Sequence, residues 1–120
     1  HKPKALYTFG CPKVGDQTFC DSLKKVPTFR FENCSDIVPT LPAKLIGYRH
    51  PGTHYFFDKE GDLHIDPSDS TRHRHKALGA LHYAKGFPIF KKDHVPARCL
   101  SDHAIPNYTA TIAKHLKGGA

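Results

Sequence analysis

Hydrophobic and polar positions change period several times along the chain, and each change marks an element. In KALYTF (4–9), β-forming residues run up to Gly10 and Pro12, which predicts a short strand. VGDQTFCDSLKK follows with Phe19 and Leu23 four apart on one helical face. Asp16 is placed to cap, Lys24 and Lys25 suit the negative end of the helix dipole, and Pro27 stops the helix. TFRFEN (28–33) alternates and predicts a second strand, and GTHYFFDKEGDLHID reads as a hairpin with strands at 55–57 and 63–65 around a KEGD turn. PSDSTRHRHK (67–76) is polar throughout and is expected to be loop, ALGALHYA a short helix, and FPIFKKDHVPARC irregular chain. In DHAIPNYTATIAKHLKGG, Ile105, Tyr108, Ile112 and Leu116 recur at helical spacing before Gly118 and Gly119, with His103 just ahead of the helix.

Strand, helix and strand in about 30 residues make a βαβ unit, whose right-handed crossover leaves its two strands parallel. The fold class is therefore α/β. GCPKVG and NCSDIVP both follow strand carboxyl ends, where open α/β sheets gather their ligand-binding loops, so both belong to one rim. Asp36 stands in the second loop, and Pro39 and Pro42 fix the backbone beyond it.

Composition narrows this picture only a little. The 120 residues make one domain, and a hydrophobic content of 38% allows a modest core. A net charge of +7 suits nucleic acid, an anionic lipid surface or an acidic substrate, and selects none of them. Ten histidines add charge as pH falls below about 6.5. No apolar run approaches the ~18 residues of a membrane-spanning helix. Cys11, Cys20, Cys34 and Cys99 form no CxxC pair, which argues against a zinc ribbon or thioredoxin-like motif and leaves disulfides and redox compartment open. The HxH of RHRHK (72–76) has no carboxylate or thiolate near it in sequence, so a solvated face is expected rather than a metal site, and no metal or organic cofactor is implied.

YTFGCPKVGDQTF (7–19), RFENCSDIVPTLP (30–42), GYRHPGTHYFF (47–57) and SDHAIPNY (101–108) together resemble successive blocks of the class 3 lipases, in the same order and spacing. The resemblance implies a partial α/β-hydrolase fold and hydrolysis of carboxylic esters, with acylglycerols or other lipid esters met at a lipid–water interface as substrates. By position in the DIVP and DH blocks, it also implies Asp36 as the acid and His103 as the base of a Ser-Asp-His triad. Chain order agrees, since the acid precedes the histidine in α/β-hydrolases.

The family nucleophile lies in a GHSxG elbow ahead of the YTFG block, and no GxSxG occurs here. Residues 1–120 are therefore expected to be the C-terminal part of a single lipase domain, inactive alone and completed by its N-terminal half. The location of the protein is left open, with secretion one option.

Several rival readings stand beside this one. Asp102 adjoins His103, but neighbouring side chains on extended backbone diverge. Cys11 at the rim would complete a Cys-Asp-His order, yet GCPKVG lacks the elbow's second glycine at the proper spacing and Pro12 removes an N–H that an oxyanion hole would use. His50 and His54 are expected in structural hydrogen bonds, and the sequons NCS and NYT lie too near the triad candidates to be glycan sites. Lys85, Phe87, Phe90, Lys91 and Lys92 interleave charge and aromatics as single-strand binders do, although no nucleic acid is expected as partner. A catalytically inactive lipase-like interaction domain is the remaining alternative.

Overall fold

A computed structural model of the chain describes residues 3–43, 46–86 and 102–118, without the side chains of 79–86 and 118. A four-stranded sheet runs in the order β1 (Leu6–Phe9), β2 (Thr28–Asn33), β3 (Thr53–Phe57), β4 (Leu63–Ile65). β1 and β2 are parallel, with Phe9 beside Phe31, and α1 (Gln17–Ser22) lies between them in the chain. β3 is parallel to β2, and β4 returns antiparallel, with Tyr55 beside Ile65. This is the expected α/β arrangement of a parallel βαβ unit, a hairpin and a C-terminal helix, α3 (Ile105–Gly118). α1 is capped as expected, Phe19 N–H donating to Asp16 Oδ1 at 2.9 Å, but it ends at Ser22, so Lys24 and Lys25 lie beyond it.

One expectation is overturned. The polar stretch 67–76 is not loop: α2 spans Asp69–Gly86, taking in PSDSTRHRHK from its third residue and the whole of ALGALHYA, where a short helix was expected. Ser68 caps it, its Oγ accepting from Thr71 N–H at 3.1 Å and its carbonyl from Arg72 N–H at 3.0 Å. Among the described residues, charge docks the first turns of this helix. Arg72 lies 3.7 Å from Glu32 Oε2 and 3.2 Å from Asp69, and Lys76 Nζ is 2.7 Å from Glu32 Oε1. A helix seated by ion pairs shows no apolar stripe, which is why pattern reading misses it. The segment FPIFKKDHVPARC, with the aromatics and lysines of the single-strand-binding pattern, lies outside the described residues.

The two faces of the sheet differ in chemistry. One is an aromatic ladder: Tyr7 stacks on Phe29 at 5.0 Å, Phe9 on Phe31 at 5.0 Å, and Phe31 on Tyr55 at 5.1 Å. α3 meets this face through Tyr108, edge-on to Phe9, and His115, edge-on to Phe57. The other face carries Glu32, His54 and Phe56, all buried, against α2. Among the described residues β1 is an edge strand, and Tyr7 remains 58% exposed.

Glu32 ties this second face together. His54 Nε2 lies 2.8 Å from its carboxylate, in addition to the Lys76 and Arg72 contacts. Burial alone would raise its pKa, but the His54 hydrogen bond and the Lys76 charge prevail and hold it at about 2. His50 is depressed as well, here by burial itself, which lowers its pKa to about 4 even though its Nε2–H donates to Pro39 O at 2.8 Å.

Both depressed values give stability that is present at neutral pH and lost on acidification. The His50 share disappears between the ordinary histidine pKa near 6.5 and about 4. The Glu32 share disappears between 4.5 and about 2. Glu32→Gln should flatten the acid limb of a urea-denaturation series below pH 4.5 while leaving the His50 limb in place. An unchanged low-pH limb in this variant would show that Glu32 does not carry it.

Candidate active site

The rim at the carboxyl ends of β1 and β2 is where the described polar groups converge. Asp36 follows β2 in a turn in which its N–H donates to Asn33 O at 3.1 Å, and a 3₁₀ turn, Val38–Thr40, follows with buried Pro39. His103 lies two residues before α3. The structure brings the two together across 67 residues of chain: His103 Nδ1 is 3.1 Å from Asp36 Oδ2. The carboxylate is fully buried, while the imidazole is 41% exposed. Nδ1 thus carries the proton shared with the acid, which leaves Nε2 to exchange one with a substrate-side group.

A buried carboxylate is costly unless its lone pairs are filled. Asp36 Oδ1 accepts from Val38 N–H at 2.9 Å, and Oδ2 accepts from the Tyr108 hydroxyl at 2.6 Å as well as from His103. The same hydroxyl accepts from Asn33 N–H at 3.1 Å, so Tyr108 links β2, the Asp36 turn and α3. Burial first, then the neighbouring Asp36 charge, pushes the Tyr108 phenol well above its ordinary pKa, so it remains a donor. In the sequence Tyr108 reads as one member of an apolar stripe. The signal for its second role is that a buried tyrosine hydroxyl needs a partner.

Gly10 closes the site from β1. Its φ is +60°, and a Cβ there would stand 2.6 Å from both Asp36 Oδ2 and His103 Nδ1. The backbone of β1 thus approaches the pair as closely as a chain without a side chain permits. Lys13, three residues on, holds the turn beyond Asp36: its N–H donates to Leu41 O at 2.8 Å and its Nζ to Pro42 O at 2.9 Å.

The remaining rim candidates have structural partners. Asp102 faces the Asn33 turn: its Oδ2 accepts from Ser35 N–H at 3.2 Å and its carbonyl from Asn33 Nδ2 at 3.1 Å. That second bond, with the burial of Asn33, leaves the NCS sequon without a free acceptor amide. Cys11 Sγ contacts Pro12 O at 3.3 Å, and burial pushes its thiol pKa up, opposite to the activation a nucleophilic thiolate needs. Cys11 and Cys20 carry free thiols, and Cys34 Sγ donates to His75 O at 3.3 Å.

Residues 1–46 match the family model described as "Lipase (class 3)". The lipase of Rhizomucor miehei is 42% identical over 53 residues, covering 42% of this chain and 15% of the relative. The secreted mono- and diacylglycerol lipase 1 of Fusarium solani is 36% identical over 58 residues, 47% of this chain and 17% of the relative. The solved Rhizomucor miehei lipase propeptide complex aligns with 54% of this chain and 22% of its own, at 35% identity and a TM-score of 0.49. The matched region is thus less than a quarter of each relative's length.

Two substitutions test how the pair is held. Tyr108→Phe keeps the ring but leaves the buried Asn33 N–H and Asp36 Oδ2 each short of a partner. A loss of ~1–3 kcal/mol in urea denaturation is expected, and a loss below ~0.5 kcal/mol, the range of neutral surface changes, would show that the hydroxyl is idle. Gly10→Ala should displace the His103 ring, read as a shift of its imidazole resonances. Unmoved resonances would contradict the close approach.

Proposed function

We propose that this chain is a member of the class 3 lipase family, whose model its residues 1–46 match, and that it supplies the acid and base of a carboxylic-ester hydrolase, with Asp36 orienting His103. The observation that carries the reading is the 3.1 Å contact between His103 Nδ1 and a fully buried Asp36. In ester hydrolysis a hydroxyl must lose its proton as it attacks the carbonyl carbon, and the leaving alcohol must gain one. An imidazole held by Nδ1 does both through Nε2, and the carboxylate stabilises the imidazolium formed between the two steps.

The nucleophile comes, on this reading, from a serine elbow that precedes the present sequence in the same domain, in the order serine, acid, histidine. The exposed edge of β1, with Tyr7 58% and Leu6 37% accessible, supports a parallel partner strand from that missing half. Lipid esters of the acylglycerol type are the proposed substrates, since the relatives are named as lipases of mono- and diacylglycerols or simply as lipases. The naming of one of them as secreted supports a secreted protein. The +7 charge favours approach to an anionic lipid–water interface.

The test uses the complete protein on emulsified mono-, di- and triacylglycerols. Asp36→Asn and His103→Ala should each lower kcat by roughly 10⁴ with little change in KM, the loss seen when a triad acid is amidated. Full activity in either variant, or no ester hydrolysis by the complete unmodified protein, would overturn the reading. The second result would favour an inactive lipase-like interaction domain.

A further inference from the structure

Away from the Asp36 rim, the end of β3, the strand β4 and the helix α2 bring three metal-ligating side chains to one point. Asp58, the residue after β3, is buried, with its side chain 5% exposed. His64 Nε2 lies 2.8 Å from Asp58 Oδ2, and His75 Nδ1 lies 3.8 Å from the same oxygen. The three ligand atoms all fall within 4.8 Å of one another. His75 comes from the RHRHK run, where sequence order shows no carboxylate nearby. The fold supplies one from 17 residues upstream, by the turn that places α2 over β3 and β4.

The preparation of the group goes beyond proximity. Asp58 Oδ1 accepts from Glu60 N–H at 3.0 Å and Asp62 N–H at 2.9 Å, which fixes the carboxylate and aims Oδ2 at the two imidazoles. His75 Nδ1 is buried and has no hydrogen-bond partner among the described residues. The two rings lie 5.0 Å apart and both rest against Phe56, which is fully buried, at 6.1 Å. The neighbouring cations of α2 are turned elsewhere: Lys76 and Arg72 face Glu32. One carboxylate oxygen cannot serve two ring N–H donors equally here, and it leaves one nitrogen 3.8 Å off. A cation between the three atoms resolves this.

We propose that Asp58, His64 and His75 form a site for a divalent transition-metal ion of the zinc class. Tetrahedral zinc with bonds of about 2.0–2.2 Å places its ligand atoms about 3.3–3.5 Å apart. The 2.8 and 3.8 Å separations to Asp58 Oδ2 bracket that range, and all three ligand atoms lie within 4.8 Å of one another, so side-chain rotation would close the set around an ion. Two imidazoles with one carboxylate select zinc-like ions over calcium or magnesium, which take oxygen ligands. Binding requires both histidines neutral, with the ring proton of His64 on Nδ1 and that of His75 on Nε2, so that the ligating nitrogens present lone pairs to the ion. The backbone donors on Oδ1 act as the outer shell that holds a ligating carboxylate. Water completes the coordination from the exposed side, where His64 is 33% accessible. The ion would join β3, β4 and α2 where charge docks the first turns of the helix. The proposal stands independently of the hydrolase reading.

The experiment titrates the complete, metal-stripped protein with Co²⁺ and with Zn²⁺. Uptake of ~1 equivalent with the visible spectrum of tetrahedral cobalt, displaced by zinc, is expected. His64→Gln and His75→Gln should each weaken binding by at least ~100-fold, beyond the 10–100-fold of an outer-shell change. His73→Gln, at an exposed position of the same helix, should leave it unchanged. No uptake by the unmodified protein overturns the proposal, as does uptake that survives both ligand substitutions. Should a variant fail to fold, the unmodified protein decides: zinc must shift the ring resonances of His64 and His75 and not that of His73, and the reverse pattern overturns the assignment.

Discussion

The structure turns on a carboxylate taken fully out of water. Asp36 is 0% exposed, and an isolated buried carboxylate would cost several kcal/mol or more. It is tolerated because its donors come from three different parts of the chain: the backbone of its own turn at Val38, the hydroxyl of Tyr108 on α3, and the imadazole of His103 before that helix. None of these is local in the sense of a helix or hairpin contact except the first. The carboxylate therefore dictates that the end of β2 and the start of α3 meet, and the missing side chain of Gly10 lets β1 lie against the point where they do.

A second buried carboxylate repeats the logic on the opposite face of the sheet. Glu32 gathers His54 from β3 and Arg72 and Lys76 from α2. Lys76 joins the two systems, because its Nζ also donates to the Asp36 carbonyl at 2.6 Å. The docking of α2 and the backbone position of Asp36 are thus linked through one ammonium group. Removing a partner from such a network leaves an unpaired buried charge, which is costlier than the intact pair is favourable. Packing alone would tolerate adjustments that this arrangement does not.

What could be read from the sequence follows the kind of force involved. β2 was legible to the residue because TFRFEN alternates between the two faces of a half-buried sheet, and the hairpin because KEGD separates two β-forming runs. Asp16 announced the start of α1 by its capping chemistry. The pairing of Asp36 with His103 was reached through block resemblance, since nothing local in either segment points across 67 residues. Where ion pairs replace apolar burial, the signal vanished: α2 hides in a polar run whose periodicity lies in its contacts to Glu32. Tyr108 was seen as apolar and its hydroxyl overlooked, and Lys13, three residues after Gly10, gave no sign that it would close the turn after Asp36.

On the proposed reading, the way Asp36 and His103 are held bears on what the rest of a hydrolase domain would have to contribute. Every group that fixes Asp36, and the contact that fixes the Nδ1 side of His103, lies within the present chain. The segment that would bring the hydroxyl would need only to place its oxygen within reach of Nε2 and to provide donors for the developing oxyanion. Catalytic power in such sites comes from groups already oriented when charge develops, so that no reorganisation accompanies the reaction. On the proposed reading, a pair anchored on β2 and α3, with β1 against it and an open edge beyond β1 among the described residues, would divide the task in that way: these strands would orient the proton carrier, and a strand joining the edge would position the attacking atom.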